Sequence, residues 1–124
     1  MSDTISFDNT VTELNDGVVE EIHSIEDIDA ASDFELKHTP ALEVIEGAHG
    51  QTIKATIGLK GIAHPQTEEH HIAWIRAFDG AEPLGTVNFG PTETPVAEFE
   101  VKRASNQIIV QALCNLHGLW EARV

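Results

Sequence analysis

The chain has 124 residues, 21 acidic side chains against seven Lys and Arg, a formal net charge of −14 and a single cysteine. That length suits one domain able to bury a core without staples, and one cysteine excludes both an internal disulfide and any four-cysteine metal site. The charge disfavours nucleic acid and anionic membranes as partners. No stretch approaches the roughly 20 apolar residues of a membrane span, and the first residues have neither the basic nor the apolar part of a signal segment. A soluble, cytoplasmic protein is expected.

Residues 1–35 hold 11 of the acids and no Lys or Arg, so they read as an acidic N-terminal extension of a domain spanning residues 36–124. Its bland role is a solvated face that keeps the protein soluble. Within it, Ile5 to Val11 reads as a strand. Val18, Ile22, Ile25 and Ile28 fall near helical spacing, which suggests a short acidic helix or a packed arm over Val18 to Ala31. Next, Lys37-His38-Thr39-Pro40 reads as an extended loop fixed by its proline.

From Leu42 onward the pattern is one of short strands between turn signals. Leu42 to Ala48 is the first. Gln51 to Leu59 alternates with Ile53, Ala55, Ile57 and Leu59 on one face, the period of a half-buried strand. His70 to Phe78 and Leu84 to Phe89 follow, and Val96 to Lys102 alternates again, with Ala97, Phe99 and Val101 opposed to charged residues. Gln107 to Cys114 reads as a buried strand and Leu119 to Val124 as a closing one. The separators His49-Gly50, Asp79-Gly80, Gly90-Pro91 and Ser105-Asn106 carry turn chemistry. The expected fold is all-β, an antiparallel β-sandwich.

The residues that carry chemistry lie in three separated segments: Lys37-His38-Thr39-Pro40, His64-Pro65 with His70-His71, and Cys114-Asn115-Leu116-His117-Gly118. One thiolate and four imidazoles make a reasonable ligand set for one transition metal. Each has a plainer reading by itself, since a free cysteine is usually a buried hydrophobe and a turn histidine usually faces water. His70 and His71 point to opposite faces of an extended strand, and His70 is preferred because Ile72 and Trp74 share its face. His23 and His49 read as solvent-exposed histidines. Lys37 matters only if His38 is a ligand, because its cation then stands beside the metal.

In identity, spacing and order, Lys37-His38-Thr39-Pro40, His64-Pro65 with His70-His71-Ile72-Ala73-Trp74-Ile75, and Cys114-Asn115-Leu116-His117-Gly118-Leu119-Trp120 resemble the metal-binding segments of the superoxide reductases, the neelaredoxin and desulfoferrodoxin group. The resemblance runs from about Lys37 to the C-terminus. It implies an immunoglobulin-like β-sandwich holding one mononuclear non-haem iron that cycles between ferrous and ferric states, with four equatorial histidines falling on His38, His64, His70 and His117 and an axial thiolate on Cys114. It also implies one-electron reduction of superoxide to hydrogen peroxide, a rubredoxin-like electron donor and a homo-oligomer, with a tetramer favoured. The thiolate raises the electron density of the metal, and Lys37 is expected to attract the anion and order a water that relays a proton.

Two departures from the family stand out. Leu36 occupies the place of a glutamate that commonly precedes the Lys-His pair, and Glu35 is one residue away from it. The small cysteine-ligated iron domain of two-iron members has no counterpart here, so the chain resembles the one-iron class. Three other functions compete: peroxide or nitric oxide chemistry at the same iron, a blue-copper electron carrier on a β-sandwich, and a metal-free interaction module. A blue-copper site wants two histidines, a cysteine and usually an axial methionine, whereas Met1 is the only methionine and the histidines are too many.

Overall fold

The computed structural model describes residues 11–13, 19–102, 105 and 107–124. Strand formation follows the alternation of the sequence. In β4 (Gly50–Ile57), Ile53, Ala55 and Ile57 are buried, and in β7 (Val96–Val101) Ala97, Phe99 and Val101 alternate with exposed Val96, Glu98 and Glu100. With β3 (Pro40–Gly47) these strands form a three-stranded antiparallel sheet in the order β3-β4-β7.

The second sheet contains β1 (Val11–Glu13), β2 (Val19–His23), β5 (Ile72–Asp79), β6 (Glu82–Asn88), β8 (Ile108–Cys114) and β9 (Gly118–Arg123). Its order is β1-β2-β9-β8-β5-β6, antiparallel throughout except where β2 runs parallel to β9. The two sheets face one another in an all-β sandwich. Ile53, Ala55 and Phe99 of the small sheet meet Ile72, Ile75, Ala77, Ile108, Val110 and Ala112 of the large one, and Cys114 ends the same buried row. Removing these side chains from water is the main driving term of the fold.

On the other face of the large sheet a polar ladder is satisfied internally. The Arg76 Nε–H donates to Gln111 Oε1 at 2.9 Å, the Gln111 amide donates to Glu121 Oε1 at 2.9 Å, and Arg123 Nε–H donates to Glu121 Oε2 at 3.0 Å. The Arg76 guanidinium also lies 4.5 Å from the Trp74 ring centroid. Buried charge is tolerated here because it is paired and hydrogen-bonded.

Four details differ from the sequence expectation. Lys37-His38 are not in an extended loop but end a short helix, α1 (Asp33–His38), whose start is fixed by a capping box between Ser32 and Glu35; that Ser-x-x-Glu signal stands in the sequence. Second, β5 begins at Ile72, so His70 and His71 precede the strand, and a register shift between Ile72 and Trp74 puts Ile72 in the core and Trp74 beside Arg76. Third, residues 19–23 are a strand and Ile28–Ala30 a 3₁₀ turn capped by Asp27, not one helix. Pairing with β9 overrides the weak helical spacing, as tertiary context does for short segments. Last, Leu119 to Val124, the weaker of the strand patterns in the sequence, gives a full strand, β9, paired on both sides by β2 and β8. The strand expected from Ile5 lies, but for Val11, outside the described residues.

One glycine ties the site-bearing segments together. Gly58 N–H donates to the Thr39 carbonyl at 3.0 Å and Leu59 N–H to the Leu36 carbonyl at 2.9 Å, which fastens the end of β4 to α1. Gly58 has φ +114°, and a Cβ there would stand 2.0 Å from the Ile62 carbonyl oxygen. Gly61, at φ +78°, has nothing within 4 Å of its added Cβ. Gly58→Ala is therefore expected to cost about 3 kcal/mol of stability and Gly61→Ala about 1 kcal/mol. Chemical denaturation of both variants checks this, and equal losses would show that the close backbone approach is unimportant.

Candidate metal centre

The first site residue is delivered by α1. Ser32 Oγ accepts from Glu35 N–H at 3.2 Å while Glu35 Oε1 accepts from Ser32 N–H at 2.9 Å, an exchange that satisfies otherwise orphaned helix amides. The same exchange holds the Glu35 carboxylate at the helix start. Leu36, 5% exposed, fills the inward position one residue later. His38 is fully buried, and its Nδ1–H donates to the Phe34 carbonyl at 2.6 Å. A carbonyl only accepts, so the ring is fixed as the tautomer whose Nε2 carries a lone pair.

His64 repeats the device. Its Nδ1–H donates to the Pro65 carbonyl at 2.6 Å, leaving Nε2 buried without a hydrogen-bond partner among the described residues. His70 sits in a bend closed by its own N–H on the Thr67 carbonyl and hydroxyl, and its Nε2 is likewise buried and unpartnered. His71 turns elsewhere, with Nδ1 on the Thr67 carbonyl at 2.9 Å. The preference for His70 thus agrees with the geometry, although bend geometry and not strand alternation separates the two rings. The β8–β9 turn supplies the rest: Cys114 ends β8, and His117 precedes Gly118, whose φ of +84° lets the chain return.

These segments converge. The ligand atoms of His38, His70, Cys114 and His117 all lie within 4.8 Å of one another. His117 Nδ1 is 3.1 Å from His38 Nε2 and 3.8 Å from Cys114 Sγ. The His64 ring stands nearly perpendicular to its neighbours, its centroid 4.7 Å from that of His38 and 4.6 Å from that of His70. Asn115 locks two segments together: its Oδ1 accepts from His71 N–H at 2.9 Å, its amide donates to the Glu69 carbonyl at 3.0 Å, and its backbone N–H donates to the His71 carbonyl.

Burial sets the charge state. It brings His38 down to about 4, helped by the neighbouring His117, His70 and Lys37 and opposed by the Phe34 carbonyl. It brings His64 to about 4 as well, against the pull of the Pro65 carbonyl, and lowers His70. These rings are neutral at pH 7 and present lone pairs, the state a metal requires. Burial pushes the Cys114 thiol up, while the backbone amides of Leu116 and His117 and the Lys37 charge draw it down. A bound cation deprotonates a coordinating thiol outright. Leaving buried ring nitrogens such as His64 Nε2 and His70 Nε2 unmet costs on the order of 1–3 kcal/mol each. An N₄S donor set with unmet lone pairs fits one transition-metal ion.

Aromatic rings wall the centre. The Trp120 indole stacks on His38, centroids 4.9 Å apart at 22°, and its N–H donates to the His117 carbonyl at 3.1 Å. Phe34, 43% exposed, lies 4.6 Å from the His38 ring and 4.9 Å from the His117 ring, and Lys37 Nζ stands 5.9 Å from the Phe34 centroid. Sequence reasoning assigned no part to Phe34 or Trp120, because their contacts depend on how α1 and β9 pack. His49 is exposed in the β3–β4 turn as expected, but His23 is not simply solvated: its ring lies 4.9 Å from that of Trp120.

The sequence model of the desulfoferrodoxin family matches residues 30–123. The superoxide reductase of Thermococcus kodakarensis is 35% identical over 99 residues, covering 71% of this chain and 85% of that protein. Neelaredoxin of Megalodesulfovibrio gigas is 34% identical over 108 residues, covering 69% and 83%. Among solved structures, the superoxide reductase (neelaredoxin) of Archaeoglobus fulgidus in the reduced form superposes with a TM-score of 0.65 at 29% identity, covering 83% of this chain and 95% of that one. The matched stretch takes in the helix that bears His38, the bend that bears His70 and the turn that bears Cys114 and His117, and the chain belongs to the desulfoferrodoxin family.

Proposed function

We propose that this chain is a superoxide reductase of the one-iron class, with His38, His64, His70, His117 and Cys114 holding a mononuclear iron. The observation that carries the reading is the convergence of the ligand atoms of His38, His70, Cys114 and His117 to within 4.8 Å of one another, with the His64 ring beside those of His38 and His70. Bound ferrous iron supplies the single electron that turns superoxide, with two protons, into hydrogen peroxide. The protein's own part is to keep the rings neutral and oriented and to place the Cys114 sulfur among the Leu116 and His117 amides, where a bound metal ion would deprotonate it. Four imidazoles leave the blue-copper alternative without support.

Lys37 is the residue we assign to substrate capture and proton supply. Its charge lowers His38 and His70 and draws down Cys114, so its field reaches the centre. The electron comes from outside the chain, and a rubredoxin-like carrier is the donor we propose. A cytoplasmic setting and a homo-oligomer, with the tetramer favoured, complete the reading. No helix among the described residues is long and apolar enough to cross a membrane.

The ligand set is tested by substitution. Cys114→Ser is expected to abolish the iron–thiolate absorption of the oxidised protein and to cripple turnover, and His70→Ala to lose iron. His71→Ala and His49→Ala should retain it. Metal analysis and visible spectra decide, and loss of iron from His71→Ala with retention in His70→Ala would overturn the assignment.

The second prediction concerns the ferric state. Glu35 is engaged in the capping box and Leu36 replaces the family's glutamate, so the oxidised protein should carry no carboxylate ligand from this chain. A vibrational spectrum or crystal structure of the ferric protein with Glu35 on iron would refute it.

The third concerns encounter. A net charge of −14 repels an anion at long range, yet a cation about 6 Å from superoxide attracts it by roughly 3 kcal/mol at an effective dielectric near 20. Salt screens both fields over about 8–10 Å. The second-order rate is expected to fall with rising salt in the parent, and in Lys37→Ala to drop several-fold and then rise with salt. Pulse radiolysis across ionic strength checks this; identical rates and slopes would reduce Lys37 to a surface lysine.

A further inference from the structure

The family match begins at residue 30, but a strand that precedes it is built into the large sheet. β2 runs parallel to β9 with Ile22 opposite Leu119 and His23 opposite Trp120. Ile22 is buried, which anchors the strand, and the register sets the His23 ring 4.9 Å from the indole of Trp120 at 34°. The same indole stacks on His38 and donates its N–H to the His117 carbonyl. Trp120 thus touches two proposed iron ligands and is itself touched by a residue from outside the family-matched segment.

β9 does not need β2 in order to exist, because its whole length pairs with β8 from Ile109↔Arg123 to Cys114↔Gly118. What β2 adds is a neighbour for the Trp120 ring. Aromatic contacts of this kind constrain ring orientation, and groups behind metal ligands set ligand orientation and affinity. His23 is outside the cluster of ligand atoms, so any influence on the metal passes through Trp120.

We propose that β2 is a working part of the metal centre and that His23 is a positioning residue, holding Trp120 and through it His38 and His117 in the geometry that receives the metal. The inference rests on the reading of these residues as iron ligands, and it gives the last part of the acidic N-terminal region a role in the site.

The test uses the full chain with cobalt(II) as probe, comparing the parent, His23→Ala, His23→Phe and, as a surface control, His49→Ala. Two quantities are read: the rate of cobalt release to EDTA and the position of the cobalt–thiolate absorption. His23→Ala is expected to release cobalt about two- to tenfold faster and to shift the absorption, while His23→Phe, which keeps a ring against Trp120, and His49→Ala behave as the parent. Metal-free melting temperatures separate positioning from general stability. A His23→Ala protein that melts lower but keeps the parent's release rate and absorption overturns the proposal, as does a His23→Phe protein as impaired as His23→Ala. A parent that takes up no metal refutes the iron reading itself, and one that holds cobalt and iron without reducing superoxide refutes only the activity.

Discussion

Gathering His38, His70, His117 and Cys114 within 4.8 Å of one another, with the His64 ring beside them, creates a deficit that the described residues do not settle. His38 and His64 each give their one ring proton to a backbone carbonyl, so the Nε2 atom of each holds a lone pair and no hydrogen. Burial disfavours charge on them, and His64 Nε2 and His70 Nε2 have no hydrogen-bond partner among the described residues. A cation that accepts several lone pairs at once removes the deficit. The surrounding structure is best understood as the means of enforcing that arrangement against its cost.

Enforcement is distributed among elements of different kinds. The sandwich core fixes β8, whose buried row of Ile108, Val110 and Ala112 ends on Cys114 and so determines which way the sulfur points. The β8–β9 turn then sets His117 against it. Asn115 in the same turn grips the main chain on either side of His70, which makes the position of one ligand depend on that of two others. At the opposite wall, the capping box, the helix-to-Gly58 hydrogen bonds and the stack on Trp120 seat His38. Coupling of this sort ties these side chains to one another and, through the Thr39 carbonyl, to the close backbone approach at Gly58.

Electrostatics act on two scales. The chain as a whole is strongly anionic, with the acids concentrated towards the N-terminus, which suits solubility and opposes the approach of an anion. Near the centre the balance differs, since Lys37 follows directly on the helix positions that carry Phe34 and Leu36 and adjoins His38. The Lys37 charge is felt at the cluster, where it helps to lower His38 and His70. Leu36 adds to the buried apolar wall, and the Glu35 carboxylate beside it is engaged by the Ser32 amide at the start of α1.

Much of this was legible in the sequence. Period-2 alternation located β4 and β7, because a half-buried strand leaves the same imprint wherever it lies. The spacing of Cys114 and His117, and the order of the three segments, pointed to a metal centre, since metal chemistry restricts which side chains can serve, and His38, His70, Cys114 and His117 do come together. The Ser32-x-x-Glu35 cap was present too, although the following proline drew the reading towards a loop. Composition and local pattern determined the fold class, the ligand types and the acidic character of the first 35 residues. Only the tertiary structure decided that His70 and not His71 turns inward by way of a bend before β5, that residues 19–23 form a strand rather than a helix, and that Trp120 and Phe34 lie against His38, with His23 on Trp120. These depend on contacts between residues far apart in the chain, such as Asn115 with Glu69 and His71 or His23 with Trp120. Local propensity is too weak to choose between the alternatives, and the burial and pairing that choose between them arise only when the sheets come together.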